Sequence, residues 1–196
     1  MTRILVMGFG PFGSITENPT EAMVKTLGLE HADIECHVLD TSYRYVTQEI
    51  PALIRRCSPD AMVLFGYAPS ADVVRLECIA RNRSDTSLHD IEGNAAEGLV
   101  IPDGPEQYKS TLPISRIEKT LSLHGIDSVR SQEAGGFVCN YSFYLLMHVA
   151  EIHGIKIAGL IHVPNLASYQ KHSGRELDLD SVALTVVDEI ARSFPL

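Results

Sequence analysis

Short apolar runs that stop at a glycine, with helical patterns between them, constrain this chain most. Residues 4–7 (Ile-Leu-Val-Met) run into Gly8, and residues 61–65 (Ala-Met-Val-Leu-Phe) run into Gly66. Both are too short for a core helix and lack the polar alternation of a half-wet strand, so they read as strands buried on both faces. Between them, residues 19–27 have helical character, with Asn18 as N-cap and Pro19 at the first helical position. Residues 34–39 form another strand, and Ser42 caps a second helix reaching about Cys57, which Pro51 is expected to kink or shorten. Strand, glycine turn, helix and strand again predict an α/β protein: three α/β/α layers around a mostly parallel, twisted central sheet, with a small antiparallel excursion. A chain of 196 residues that is 45% hydrophobic suits one domain spanning 1–196.

The second half keeps the pattern. Residues 73–82 alternate irregularly as a strand or hairpin arm, and residues 84–107 are a polar loop rich in Asp, Gly and Pro. A loop of that length suggests a cover over a site or a contact between subunits. Residues 113–123 read as a helix, 128–131 as a strand, 157–163 as a strongly apolar strand and 182–190 as a closing helix. Gly135 and Gly136 precede Cys139, which lies near the start of a helical apolar stretch through Phe143, Leu146, Met147 and Ala150. A thiol there meets the positive end of the helix dipole and unpaired N–H groups, which favour thiolate and can hold an oxyanion. The alternative use of Cys139 is as a small buried hydrophobe.

Gly8-Phe9-Gly10-Pro11-Phe12-Gly13 has the letters of a dinucleotide fingerprint after a strand, and Asp40 ends the next strand. Geometry argues against nucleotide binding. Four residues, 14–17, separate the glycines from the helix start at Asn18-Pro19, and Pro11 removes an N–H from the loop. Two phenylalanines in a glycine loop suit a flat apolar group better than a phosphate.

Ligands of parallel sheets gather beyond the carboxyl ends of the strands, so the loops after Gly8 and Gly66 share an edge. His162 interrupts an apolar strand at that same edge, and Glu77 lies among apolar neighbours. A sulfur nucleophile needs a base, and the base an orienting group. Glu77, Cys139 and His162 supply these as a Cys–His–Glu triad. His89, in the long loop, is the rival base. His148 lies on the helix of Cys139, about 13 Å away at 1.5 Å per residue.

A net charge of −9 disfavours nucleic acid and anionic membranes as partners. The first apolar run is too short for a leader or a spanning helix. Cys36, Cys57, Cys78 and Cys139 are scattered, with no C-x-x-C pair and no H-E-x-x-H, so neither metal nor disulfide framework is expected, and a reducing cytoplasm fits.

Several segments together resemble the pyroglutamyl peptidase I family of cysteine peptidases. They are Gly8 to Gly13 with Asn18-Pro19; Gly66-x-Ala68 with Glu77, Ala80 and Asn82; Ser110 to Ile114; Ala134 to Asn140 with Phe143-Tyr144 and Met147-His148; and Ile161 to Pro164. The resemblance covers nearly the whole chain. It implies cofactor-free removal of an N-terminal pyroglutamyl residue from blocked peptides, with Cys139 as nucleophile, His162 as base and then acid, and Glu77 as orienting carboxylate. It further implies lactam binding by Phe9, Phe12, Tyr67 (through backbone groups), Phe137 and Val138, and a homodimer or homotetramer. Three places depart from the family pattern: Pro69-Ser70-Ala71 stands for G-G-R, Cys78 for an arginine, and Ser87 for another, for which Arg81 or Arg83 is the candidate replacement. A lactam-binding homologue without turnover is the alternative these losses suggest.

Overall fold

The computed structural model describes residues 2–31 and 34–195. Its elements are β1 (Ile4–Phe9), α1 (Pro19–Glu30), β2 (Glu35–Leu39), α2 (Tyr43–Cys57), β3 (Ala61–Ala68), β4 (Val74–Glu77), β5 (Ile79–Arg81), β6 (Gln107–Lys109), α3 (Ile114–Leu123), β7 (Ser128–Ser131), α4 (Val138–His153), β8 (Ile157–Pro164), α5 (Leu166–Ser173) and α6 (Leu179–Ala191). The main sheet has the order β2-β1-β3-β8-β4-β7. The first four strands are mutually parallel, while β4 pairs antiparallel with β8 and parallel with β7. The expected antiparallel excursion is the ribbon of β5 and β6.

Period-two alternation assigns each strand residue to a face. Leu5, Met7 and Phe9, with Met62, Leu64, Ala158 and Leu160, pack under α2 and α4. Ile4, Val6, Ala61, Val63, Phe65, Ile161 and Val163 pack under α1, α3, α5 and α6. Both faces are dry, which is why these strands read as continuous apolar runs. The same alternation places Gly66, His162, Arg75 and Glu77 on the α4 face.

Asn18 caps α1 as expected: its side chain accepts from the Thr20 N–H and donates to the Gly10 carbonyl, so the cap also ties down the glycine loop. Pro51 does not shorten α2, which runs through it to Cys57. Burial of Val46, Ile50, Leu53 and Ile54 on one face outweighs the missing backbone hydrogen bond. Residues 73–82 do not form one strand. The chain leaves the main sheet at Cys78, whose N–H bonds the Ser131 carbonyl and whose carbonyl accepts from Ser110. The short α5 was not expected from the sequence.

The long loop, 84–107, is pinned rather than free. The Asn82 side chain bonds the backbone of Val100, Ile101 and Gly104, and the Asp90 carboxylate accepts from the backbone N–H groups of Tyr43, Glu92 and Asn94. No helix among the described residues is long and apolar enough to cross a membrane.

Candidate active site

Gly135 adopts φ +86°, a left-handed conformation that a side chain would strain, and the turn it makes delivers Phe137 to the N-cap of α4. No side chain caps this helix; its first intrahelical bond runs from the Tyr141 N–H to the Phe137 carbonyl. The N–H groups of Val138, Cys139 and Asn140 therefore have no intrahelical acceptor and point at the cleft end of the helix. Cys139 is half-buried there. Asn140 locks the turn in place: its amide donates to the carbonyls of Arg81 and Arg83 and accepts from the Arg81 N–H.

His162, on β8, is level with Gly66 on β3, and glycine is required at that position. A Cβ on Gly66 would lie 2.6 Å from His162 Cδ2, 2.8 Å from its Nε2 and 3.2 Å from Cys139 Sγ. Imidazole and sulfur thus meet across a bare patch of strand. On its other side, His162 Nδ1 lies 2.9 Å from Glu77 Oε1, a bond between residues 85 positions apart in the chain. Glu77 is wholly buried, and His162 nearly so. Burial alone would push the imidazolium's pKa down. Hydrogen bonding to Cys139 and Glu77, and their charges, outweigh it and lift His162 to about 9. The Nδ1–H is thereby committed to the carboxylate, and Nε2 faces the sulfur.

Cys139 and His162 open into a cleft of about 380 Å³. Its apolar end is aromatic. Phe12 stands 6.0 Å from Phe137 and 6.5 Å from Tyr67, ring centre to ring centre, and buried Phe9 forms part of the wall. Beyond Leu64, β3 has outrun its pairing with β1, so the backbone of Tyr67 is unpaired on that side, while Val163 pairs it on the other. The Val138 side chain differs from expectation. It is fully buried in the core under α4 and does not line the cleft, which leaves its backbone N–H as its only route to a ligand.

His89 is exposed, pairs with Ala95 in an isolated bridge and lies outside the cleft. His148 bonds the Tyr108 hydroxyl at 2.8 Å instead. Of the departures, Pro69 and Ser70 line the cleft, Ala71 is buried, Cys78 sits at the sheet crossover, and Ser87 hydrogen-bonds Asp85 outside the cleft. Arg81 and Arg83 do not line it either; both face Glu133, at 3.6 Å and 2.6 Å. Arg75 and Glu133, which the sequence did not single out, do line it. Arg75 was legible in principle, being two residues before Glu77 and hence on its face. Among the described residues one cluster of metal-binding side-chain types occurs, Glu35, His37 and Cys57, at the opposite end of the strands from the cleft.

A thiol at a helix N-terminus, facing an imidazole backed by a buried carboxylate at the carboxyl edge of a parallel sheet, is the constellation of a cysteine-dependent hydrolase. Comparison with known proteins narrows the class. A family model described as pyroglutamyl peptidase matches residues 2–189. The pyrrolidone-carboxylate peptidase of Brevibacillus brevis is 36% identical over 192 residues, which are 95% of this chain and 88% of that protein. The Pyrococcus furiosus protein of the same name is 36% identical over 167 residues, 83% of this chain and 80% of its own. A mutant pyrrolidone carboxyl peptidase from P. furiosus superposes with a TM-score of 0.88 at 29% identity, covering 99% of this chain and 100% of that one. Pyroglutamyl peptidase I from Bacillus amyloliquefaciens superposes with a TM-score of 0.87 at 29% identity, over 97% and 95% of the two chains. The chain belongs to the pyroglutamyl peptidase family.

Proposed function

We propose that this protein removes an N-terminal pyroglutamyl residue from peptides through a thioester on Cys139. The observation that carries the reading is that one cleft holds both an uncharged aromatic slot and the Cys139–His162–Glu77 relay. A pyroglutamyl ring is flat, neutral and partly apolar, and its amine is locked in the lactam, so it needs aromatic walls and a few fixed polar groups rather than an anion. Phe12, Phe137 and Phe9 enclose the ring, and the unpaired backbone of Tyr67 takes the lactam.

The chemistry follows from proton positions. Cys139 sulfur, its proton on His162 Nε2, attacks the carbonyl carbon joining the ring to the next residue. The resulting oxyanion accepts from the N–H groups at the start of α4. His162 Nε2–H then protonates the amine nitrogen as the C–N bond breaks, leaving a thioester. Water gives a proton to His162, attacks the thioester, and the sulfur leaves as free pyroglutamate forms. Glu77 holds the imidazole and balances its charge throughout. No cofactor enters the sequence.

Hydrolysis of a pyroglutamyl arylamide by the pure protein tests the reading. Cys139→Ser is expected to lower kcat/KM by at least about a thousandfold. Undiminished turnover by that variant excludes the relay, and a pyroglutamyl-mimicking electrophile should add to Cys139 alone by mass spectrometry. The whole chain, 1–196, works as one peptidase domain in a reducing cytoplasm, a setting supported by its four free cysteines. Self-association as a homodimer or homotetramer uses the long loop, where Leu88, Ile91 and Leu99 are exposed. Ile91→Asp should then shift the mass seen by light scattering towards the monomer. An unchanged mass moves the contact elsewhere.

A further inference from the structure

The cleft has two ends, and the sheet order says what each faces. Gly66, His162 and Arg75 lie side by side on β3, β8 and β4, all on the α4 face. Adjacent strands are about 4.8 Å apart, so His162 stands between the aromatic slot and Arg75. Because His162 protonates the departing amine, the peptide beyond the scissile bond leads over His162 towards β4. Arg75 lines the cleft there.

Its charge is unspent. Among the described residues Arg75 has no carboxylate within ion-pair distance and no side-chain hydrogen bond, whereas Arg81 and Arg83 share Glu133 on the same side of the cleft. Glu133, the carboxylate that lines the cleft, is thus already engaged by Arg81 and Arg83, and Arg75 is left without a counter-ion there. A neutral lactam needs no cation, and the oxyanion is served by the N–H groups of α4. The partner for Arg75 therefore lies in the leaving part of the substrate.

We propose that Arg75 determines specificity for a carboxylate on the residue following pyroglutamate, either the free α-carboxylate of a pyroglutamyl dipeptide or the side chain of Asp or Glu. This rests on the pyroglutamyl peptidase reading. A guanidinium presents a planar fork of donors matched to a carboxylate, and such a bond is worth about tenfold or more in discrimination.

The test measures kcat/KM for pyroglutamyl-alanine, pyroglutamyl-alanine amide, pyroglutamyl-glutamate amide and pyroglutamyl-lysine amide. In the wild type at least one of the two acidic substrates should exceed the alanine amide by about tenfold, and whichever does so identifies the source of the carboxylate. In Arg75→Gln the acid-to-neutral ratio should fall to about one, Arg75→Lys should restore part of it, and Arg75→Glu should favour the lysine amide. Ratios within each variant are insensitive to a general loss of active protein. Equal rates for acidic and neutral substrates in the wild type, or a ratio unchanged in Arg75→Gln, overturn the assignment while leaving the peptidase reading intact. Failure to hydrolyse any of the four, or the arylamide, overturns the peptidase reading and this proposal with it.

Discussion

At the residue scale, the site depends on a side chain that is missing. Gly66 contributes nothing to the chemistry, yet a Cβ there would enter the space of His162 Cδ2 and Nε2 at 2.6 and 2.8 Å. Gly66→Ala is expected to push the imidazole from the sulfur and lower kcat by about a hundredfold, since small displacements of reacting groups carry costs of that size. Circular dichroism should find the fold retained; full activity in Gly66→Ala would mean that sulfur and imidazole do not meet across this strand. That Cys139, His162 and Glu77 are candidates was legible because Cys139 follows a double glycine and His162 and Glu77 interrupt apolar surroundings. Arg75 was less so. In sequence it is an ordinary arginine of an irregular strand, and only the antiparallel pairing of β4 with β8 reveals that it neighbours His162. Long-range pairing of this kind leaves no local trace.

At the scale of elements, helix starts and buried strands were easiest to read, because caps and apolar runs are local. Asn18 marked α1 by residue type alone. Its second bond, to the Gly10 carbonyl, was invisible, and it ties the cap to the glycine loop that carries Phe12. Asn18→Ala should therefore cost about 1 kcal/mol of stability through the lost cap and also raise KM for pyroglutamyl substrates, as Phe12 loses its support, with less effect on kcat. A variant destabilised with unaltered KM would separate cap from loop. The break at Cys78 was missed for a different reason. Val74 to Arg81 holds no glycine, proline or turn residue to mark a break, and only the competing partners, β8 and β7 for its first half and β6 for its second, divide it into β4 and β5. Pro51 does not shorten α2. Its local penalty is real, but a buried helix face repays it.

At the scale of the molecule, the relay couples protonation to folding. His162 is held near 9 in the folded state against 6.5 for an unperturbed imidazole, so the folded protein binds more protons between those values. The stabilisation this supplies is complete below about pH 6.5 and is lost as pH rises through about 9. Urea midpoints should accordingly fall from pH 6.5 to pH 9 more steeply in the wild type than in His162→Gln. Parallel slopes would show that the imidazole is not held protonated by its neighbours. The overall architecture was legible because both sheet faces are dry and the connections between the parallel strands β1, β2 and β3 are helices. The reversed direction of β4 and β7 was not: residues 69–73, which hold no helix, turn the chain back from β3 into β4.

That reversal has a consequence for how the protein can change over time. Running opposite to β8, β4 sinks Glu77 beneath the imidazole and leaves Arg75, two residues earlier, at the rim. One position is clamped by its bond to His162; among the described residues the side chain of its near neighbour has no partner. A lineage can therefore exchange the rim residue and acquire a new diet of peptides in a single substitution, while the machinery below continues undisturbed.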